Sequence, residues 1–469
     1  MLSVWEVRSA ASIPIRSSVD SSCPINTLPP EVLSQIFLGA TGSTQLRDAK
    51  PSPKSVSLRL SHVCRYWRGV AIDLPGLWQC LSLTGCKDKR THRRLDLVNA
   101  FMERTKGLGM VIYYQDVEAL IVSSDYWRVV IRGEGITVAS DEDRCYCVLD
   151  TVISKIGKIR RLELVLGHAS SCRLSLVLSP AAAMLETLSV RYLEGGARTH
   201  ALSSFYASLP RIRHLVYGSY LRSCAVPLPV GVPWVQLITL HVVDCPMAQD
   251  TFLDILDQGE CIEEATVRLT GAANLSELSR KREVVQHALK ELTIYGDEAI
   301  DAVFISLQLP SLHSLDLRSD AREAPTWPFT DIQALHHLLS GIRGGLDDFM
   351  IFPANSIVEE DLISILALPQ MSTLKHMYVR LSTISDAFFA RLHPDYGFPL
   401  VPHLEKLTLA KCTTTDGVVS GMILSRLRLG YPLRYADIAF NRQERGLHPQ
   451  DLAQFTSLRA LGVAVDGCF

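Results

Sequence analysis

A short phrase recurs along most of this 469-residue chain. It consists of an apolar residue, two others, a second apolar residue, one other and a third apolar residue, as in Leu312-His-Ser-Leu-Asp-Leu317. The last three residues of each phrase predict a short strand, because alternate side chains of a strand point to opposite faces. One such unit cannot bury its apolar face alone, so neighbouring units must stack. The twelve copies start about 27 residues apart on average and lie at 159–164, 185–190, 212–217, 235–240, 262–267, 289–294, 312–317, 346–351, 374–379, 404–409, 433–438 and 458–463.

This spacing is typical of leucine-rich repeats. The sequence therefore predicts an α/β fold in which a leucine-rich-repeat-like solenoid carries a curved parallel sheet. Helical return segments are predicted at 95–104, 250–257 and 359–366, each with an apolar face toward the strands. Weaker copies of the phrase at 78–83, 108–113 and 127–130 indicate that the solenoid begins directly after the N-terminal segment. The repeats are irregular, because Gly167, Asp244, Ser319 and Lys411 stand where the most regular repeats carry asparagine.

The residue between the two inward side chains of each strand is expected to face the concave surface of the solenoid. These residues are mostly small and polar. No basic stripe or aromatic ladder is evident among them, so nucleic acid is not expected as a target. They either bind a protein target or are solvated positions whose neighbours on the loops do so. The residues assigned to target binding are Thr239, Thr293, Asp316, Tyr378 and Thr408, and the same pattern includes Glu163, Ser189, Thr266, Asp437 and Gly462.

Two segments near the N-terminus have the pattern of short amphipathic helices. The first, at 28–37, reads Leu-Pro-Pro-Glu-Val-Leu-Ser-Gln-Ile-Phe. Its prolines suit a helix start, Glu31 suits the positive end of the helix dipole, and Gly39 lies just past the expected end. In the second, at 60–71, apolar residues recur at steps of three and four. Pro75 then breaks the pattern, and a third short element is predicted to fold back over the pair.

Together these segments resemble an F-box. The phrases Leu-Ser-His-Val-Cys-Arg-Tyr-Trp-Arg and Leu-Pro-Gly-Leu-Trp are similar to those of the F-box-like proteins abundant in mushroom-forming fungi, where a leucine-rich-repeat-like region usually follows. The resemblance implies docking to the small adaptor subunit of a cullin-based, SCF-type ubiquitin ligase. An insert at 39–57 separates the helices further than in a compact F-box. The docking residues that the resemblance implies are Leu28, Pro29, Pro30, Glu31, Ile36, Phe37, Val63, Cys64 and Trp67.

The expected organisation has three parts. These are an N-terminal tail at 1–24, an F-box-like domain at 25–83 with its insert, and the solenoid at 84–469. The resemblance implies a substrate-recognition adaptor that binds the ligase adaptor subunit, and through it the cullin, while the repeats bind an unidentified protein target. The alternative is a repeat scaffold outside any ligase, in which the N-terminal helices cap the open end of the solenoid core.

Charge and cysteine content narrow the classes of partner. The formal net charge is −2 with acidic and basic residues interspersed, which favours neither nucleic acid nor an anionic membrane. The 12 cysteines are scattered, and Cys145 and Cys147 lack a second close pair to complete a zinc site, so no metal is predicted. Glu6 and Arg8 interrupt the first apolar stretch, and no apolar run of about 18 residues occurs. A cytosolic or nuclear protein is therefore expected.

The sequence offers no constellation typical of an enzyme. A glycine-rich stretch at 39–45 lacks the Gly-Lys-Ser/Thr ending of a phosphate loop. His336 and His337 are adjacent on a predicted helix, where side chains diverge by about 100° and cannot grip a metal from one face. For the acidic clusters at 347–348, 359–361 and 141–143 the sequence indicates no partner histidine. We therefore expect neither catalysis nor a cofactor.

Overall fold

The computed structural model describes residues 24–42, 56–86, 93–116, 145–174, 182–193, 203–219, 227–271, 283–319, 326–354, 357–440 and 448–468. Fourteen of the strands in these ranges form one sheet, in which they follow one another in chain order, and every recorded pairing is parallel. They are β1 (Cys80–Thr84), β2 (Met110–Gln115), β3 (Ile159–Leu166), β4 (Thr187–Tyr192), β5 (His214–Ser219), β6 (Thr239–Ala248), β7 (Glu264–Thr270), β9 (Glu291–Tyr295), β11 (Ser314–Arg318), β12 (Asp348–Ala354), β13 (His376–Ile384), β14 (Lys406–Cys412), β15 (Tyr435–Phe440) and β16 (Ala464–Cys468). The short strands β8 (Val284–Val285) and β10 (Leu307–Gln308) pair with each other in a second sheet.

Helices connect most successive strands. None of those in the described ranges has both the length and the apolarity needed to cross a bilayer. They are α1 (Pro30–Gly42), α2 (Val56–Ser61), α3 (Arg65–Asp73), α4 (Arg93–Arg104), α5 (Cys147–Ser154), α6 (His168–Leu174), α7 (Ser203–Ala207), α8 (Gln249–Gln258), α9 (Asp301–Ser306), α10 (Ile332–Ser340), α11 (Glu359–Leu366), α12 (Asp386–Leu392), α13 (Val418–Arg428) and α14 (Pro449–Ala460). Single 3₁₀ turns lie at Pro24–Thr27, Pro75–Trp78, Ile156–Lys158, Trp234–Gln236, Pro369–Met371 and Pro394–Tyr396.

Alternate burial along the strands places the core on one side of the sheet. In β14, for example, Leu407 and Leu409 are buried while Thr408 between them is half-buried. The buried strand residues form one apolar core with helix residues such as Leu335 and Phe388. The other side of the sheet, which we call the open face, remains partly accessible along the described strands. The predicted α/β class and parallel sheet are confirmed.

Most predicted elements fall where expected. The return segments at 95–104, 250–257 and 359–366 lie within α4, α8 and α11, and the weaker phrases at 78–83 and 108–113 lead into β1 and β2. The phrase at 127–130 lies outside the described residues.

The structure shifts the register of two predicted phrases, one by two residues and the other by four. Leu240 pairs with Leu215, so His241 rather than Thr239 lies between the inward residues of β6. The phrase at 458–463 lies in α14 and the turn after it, and Asp466 rather than Gly462 pairs with Asp437 of β15. In both places apolar residues an even number of positions earlier satisfy the same phrase, and a period of two cannot distinguish such alternatives.

Carboxylates at the start of several helices hold the start of the next helix. Each accepts one or two backbone N–H groups, at N···O distances of 2.8 to 3.1 Å. Such bonds satisfy amides that lack partners at a helix start, where negative charge is also favoured. We call these contacts the carboxylate relay. Its members are Asp301 with Thr330 and Asp331, Glu359 with Ser385, Asp386 with Thr415, and Asp416 with Gln450 and Asp451.

A fully buried guanidinium, that of Arg426 in α13, joins this helix to the preceding unit. Its Nη1 donates to the carbonyl of Leu392 at 3.1 Å, and its Nη2 donates to those of Val401 and Pro402 at 2.9 and 3.2 Å. Burial lowers the pKa of Arg426 to about 10, because desolvation penalises the charged form. These carbonyls are themselves largely removed from water, so the guanidinium supplies hydrogen bonds that water cannot.

Replacing Arg426 by alanine is expected to destabilise the chain by about 3 kcal/mol, because several buried carbonyls lose their donor and a cavity remains. Urea unfolding followed by circular dichroism measures this loss. Arg428→Ala, on the exposed side of the same helix, is the matched control and should change stability by less than about 0.5 kcal/mol. Equal effects of the two substitutions would contradict the role assigned to Arg426.

Candidate docking and recognition surfaces

The first N-terminal helix, α1, begins as its sequence predicts. Pro30 is its first residue and Glu31 lies in its first turn. Leu33 and Phe37 are fully buried, which accounts for the apolar stripe. The helix does not end before Gly39, however, but continues to Gly42. Nothing lies within 4 Å of the position that a Cβ of Gly39 would take, so at this point the helix is not pressed against a neighbour.

The second predicted helix is divided into α2 and α3 by a turn at 62–64. Cys64 has an extended backbone and acts as the N-cap of α3, and its Sγ accepts a hydrogen bond from the backbone N–H of Trp67 at 3.4 Å. Arg68 Nε donates to the carbonyl of Ser61 at 2.9 Å and thereby fixes the corner between the two helices. The apolar spacing continues through this turn, which is why periodicity alone predicts one helix.

Aromatic contacts hold the N-terminal helices together. The rings of Phe37 and Trp67 are 5.0 Å apart, and the hydroxyl of Tyr66 donates to the carbonyl of Leu28 at 2.7 Å. The predicted third element is the 3₁₀ turn at Pro75–Trp78, where Trp78 is fully buried and donates through Nε1 to the carbonyl of Ala71 at 2.7 Å. These contacts make the three elements one packed unit.

Trp78 also connects this unit to the first strand–helix unit of the sheet. Its ring lies 5.0 Å from that of Phe101, edge to face, and the guanidinium of Arg104 lies 4.2 Å from the Trp78 ring centroid. Both partners belong to α4. The N-terminal helices therefore share part of their core with the beginning of the sheet.

The structure divides the predicted docking residues into three groups. Pro29, Pro30, Glu31, Ile36 and Val63 are exposed, and Leu28, Cys64 and Trp67 are half-buried. Phe37 is fully buried, so its side chain supports the helix pair from inside instead of presenting a surface to a partner. Sequence reasoning leaves out Val32, whose side chain is 43% exposed, compared with 44% for Ile36 and 58% for Val63. Exposed apolar side chains on packed helices are the usual anatomy of a docking surface.

A family model described as F-box-like matches residues 25–84. The F-box-like module predicted from the sequence is therefore confirmed over this segment. F-box domains bind the small adaptor subunit of SCF-type ligases and through it the cullin, and F-box proteins are typically adaptors rather than enzymes. No curated protein matches the chain. Most of the insert at 39–57 lies outside the described residues.

The open face of the sheet carries an aligned central row of side chains, one from each strand. Thr293, Asp316, Tyr378 and Thr408 lie in this row as predicted, whereas Thr239 lies two residues earlier on the same face. The central row contains four acids and, among the described strands, no lysine or arginine. From β1 to β16 its members are Ser82, Tyr113, Glu163, Ser189, Val216, His241, Thr266, Thr293, Asp316, Met350, Tyr378, Thr408, Asp437 and Asp466.

Sequence reasoning missed a second row, which lies two residues further along the strands. We call it the arginine row, and it consists of Arg191, Arg268, Tyr295, Arg318, Phe352 and Arg380. The guanidinium of Arg268 lies 5.6 Å and that of Arg318 5.8 Å from the Tyr295 ring centroid, and Arg380 lies 4.9 Å from that of Phe352. Such cation–π contacts orient the guanidinium groups. The expected lack of a basic stripe concerned the central row, which carries no lysine or arginine, and these arginines lie beside it.

The two rows are electrostatically linked at Arg318. Its Nε donates to both carboxylate oxygens of Asp316 at 2.8 and 2.9 Å, and the pKa of Arg318 is raised chiefly by these hydrogen bonds. By contrast, the side chain of Arg191 has no hydrogen-bond or ion-pair partner among the described residues. The open face therefore presents arginines beside a central row whose charged members on the described strands are acids.

A cavity of about 310 Å³ opens at the arginine row. Its lining includes Arg191, His241, Asp244, Arg268 and Tyr295. Burial lowers the pKa of His241, and the neighbouring charge of Arg191 lowers it further, which favours a neutral imidazole near pH 7. The cavity thus combines two cationic side chains with one acid and an aromatic ring.

Titratable clusters elsewhere have structural partners. Asp416, His448 and Asp451 approach one another, but Asp451 accepts hydrogen bonds from the backbone N–H and the hydroxyl of Ser420, and Asp416 belongs to the carboxylate relay. His336 contacts the hydroxyl of Ser364 at 3.2 Å. The first acid of the cluster at 359–361 is also a member of the relay. The carboxylates of these clusters thus hold helix ends. In the cluster at 347–348, Asp348 contacts Nδ1 of His376 at 2.5 Å, so the expectation that this cluster has no partner histidine is wrong.

Proposed function

We propose that the chain is a substrate-recognition adaptor of an SCF-type ubiquitin ligase. The observation that carries the proposal is the F-box-like match at 25–84, on packed helices that leave Val32, Ile36 and Val63 exposed. Apolar side chains on a rigid support bind a partner at low entropic cost. In this proposal the adaptor subunit contacts Leu28, the prolines that follow it, Glu31 and the exposed apolar residues. Phe37 packs in the core of the module and supports this surface without contacting the partner.

We further propose that residues 84–469 form a leucine-rich-repeat-like solenoid, of the kind found in F-box-like proteins of mushroom-forming fungi, and that its open face binds the target. Parallel strands in chain order, with a polar central row on one side, support this reading. A target with segregated patches of both signs fits two adjacent rows of opposite charge. A polyanion would meet the acids of the central row as well as the arginines, so a folded protein is the better candidate. The cytosol or nucleus is the proposed location.

Blocking the central row is expected to remove the target while leaving the ligase bound. In Thr293→Arg/Thr408→Arg, two large side chains replace small ones on the open face, and proximity labelling of the target in the native cell should fall about tenfold or more. Comparison with and without proteasome inhibition identifies the target as a protein whose labelling rises when degradation stops.

Thr251→Arg is the control for this experiment. Thr251 is a half-buried threonine on α8 instead of the open face. Labelling of the ligase subunits reports separately on docking. A target still labelled at the wild-type level by the folded double variant would refute binding at the central row.

The alternative function is a scaffold outside any ligase, with the N-terminal helices as a cap. The contacts of Trp78 with Phe101 and Arg104 favour a capping contribution, because they place part of the F-box-like module in the core of the first unit. Docking and capping are compatible in one chain, since docking would use the exposed apolar residues and capping the buried tryptophan. Binding of the adaptor subunit distinguishes the two functions.

A further inference from the structure

Three cysteines that are distant in the sequence meet where the first strand of the sheet ends. They are Cys86, Cys145 and Cys147, and their sulfur atoms all lie within 4.8 Å of one another. The Sγ atoms of Cys86 and Cys147 are 3.5 Å apart. Sequence spacing alone gives no sign of this cluster, because 58 residues separate Cys86 from the other two.

The fold brings each cysteine to this point in a definite way. The chain continues from β1 through Gly85 to Cys86, which forms an isolated antiparallel bridge with Cys145. Cys147 is the first residue of α5. Cys86 is buried, and the other two are half-buried and pack against the same apolar core. The cluster is thus held by a strand end, a backbone bridge and a helix start.

The geometry points to a zinc site. Tetrahedral zinc binds thiolate sulfur at about 2.3 Å, which places two sulfur ligands about 3.8 Å apart. The separations here agree with that value to within about 1 Å. Soft thiolates select zinc over magnesium or calcium, which require oxygen ligands. We propose that Cys86, Cys145 and Cys147 bind one Zn²⁺ as thiolates, with the fourth position taken by water or another ligand.

Binding would release one proton from each thiol, since the thiolate is the ligand form. The ion would fasten the end of β1 to the start of α5. Between these points the chain forms α4 and β2, and α4 packs on α5. A metal ion bound by all three cysteines would close the long loop between Cys86 and Cys145. It would thereby reduce the conformational freedom of the unfolded chain, as a disulfide would. The site is independent of the proposed ligase function.

Metal analysis of the purified full-length chain tests the proposal. After expression with added zinc and dialysis against metal-free buffer containing a phosphine reductant, mass spectrometry should find about one zinc per chain. Cys147→Ser should lower this content at least about fivefold. Cys245→Ser, at a buried cysteine in β6, should leave it unchanged. Wild-type chain without zinc, or zinc content unaffected by Cys147→Ser, would overturn the assignment.

Thiol alkylation of the wild-type chain gives a result that does not depend on whether a variant folds. With zinc bound, the three cysteines should react with iodoacetamide about tenfold more slowly than after removal of the metal by a chelator, because coordination blocks the nucleophilic thiolate. Peptide mapping assigns the protection to each cysteine, and exposed Cys261 should react equally fast in both samples. Equal reactivity with and without chelator, or a disulfide between two of the three in unreduced protein, would refute the zinc site.

Discussion

The double variant Ile36→Asp/Val63→Asp is expected to bind the ligase adaptor subunit at least about a hundredfold more weakly than the wild-type chain. The two side chains are exposed on α1 and on the turn before α3, so the folded module tolerates the change. In a complex, each carboxylate would be buried in an apolar contact without a partner. Titration calorimetry with the purified adaptor subunit measures the loss.

Ile305→Asp on α9 is the matched control for this variant. Ile305 is a helix isoleucine of similar exposure, 52%, outside the F-box-like segment, so its replacement should leave adaptor binding unchanged. Trp67 is unsuitable for a charge substitution, because its ring packs against buried Phe37 and the module itself would unfold. If the double variant keeps its circular dichroism spectrum and binds as the wild type does, then the docking surface lies elsewhere.

Trp78→Ala should destabilise the N-terminal end of the chain by about 3–5 kcal/mol, the usual cost of removing a fully buried tryptophan. The substitution removes the contact with Phe101, the stacking of Arg104 and the hydrogen bond to the Ala71 carbonyl. Hydrogen exchange resolves the effect along the chain. Amides of β1 and β2 should lose protection, while those of β14 to β16 should change little because each unit contacts mainly its neighbours.

Trp78→Phe is the conservative comparison, since it keeps an aromatic ring but loses the indole N–H, and should cost about 1 kcal/mol for the hydrogen bond with a further amount for lost volume. A chain lacking residues 25–80 extends the test. Repeats that stay fully protected without these residues would contradict the shared core inferred from Trp78, whereas loss of protection confined to the first units would support it.

Much of the sheet can be predicted from the sequence because its determinant is local. An apolar pair separated by one residue produces an alternating strand wherever neighbours stack on it, and Leu315 and Leu317 of β11 are buried as that pattern requires. The register of a strand depends instead on contacts between residues that are distant in the sequence. At 235–240 and 458–463 apolar residues that precede the strand pattern satisfy the same phrase, and only pairing with the adjacent strand decides between the alternatives.

The F-box-like module likewise has some features that the sequence predicts and others that it does not. Helix starts are predictable from Pro30 and Glu31, but the break at Cys64 is not, because its sulfur caps α3 without disturbing the apolar period. Whether Phe37 or Ile36 faces outward depends on where Trp67 packs. The arginine row follows from a pattern visible in the sequence, an arginine two positions after Ser189, Thr266, Asp316 and Tyr378, once the central row is known. The cysteine cluster depends on long-range contacts and has no local signal.

The hydrogen bonds of the carboxylate relay all join an acid near the start of one helix to the start of the next helix along the chain. Each acid lies at or just before the start of one helix, whereas the amides that it binds lie at or just before the start of the next. The effect of losing Asp301 would therefore appear at α10, and that of losing Asp386 at α13. A substitution of one of these acids would therefore destabilise the unit that follows it, on the C-terminal side. Sequence variation in one unit can therefore adjust the placement of the following unit, which is a route by which the angle of a recognition surface can change without any change in the residues that form it.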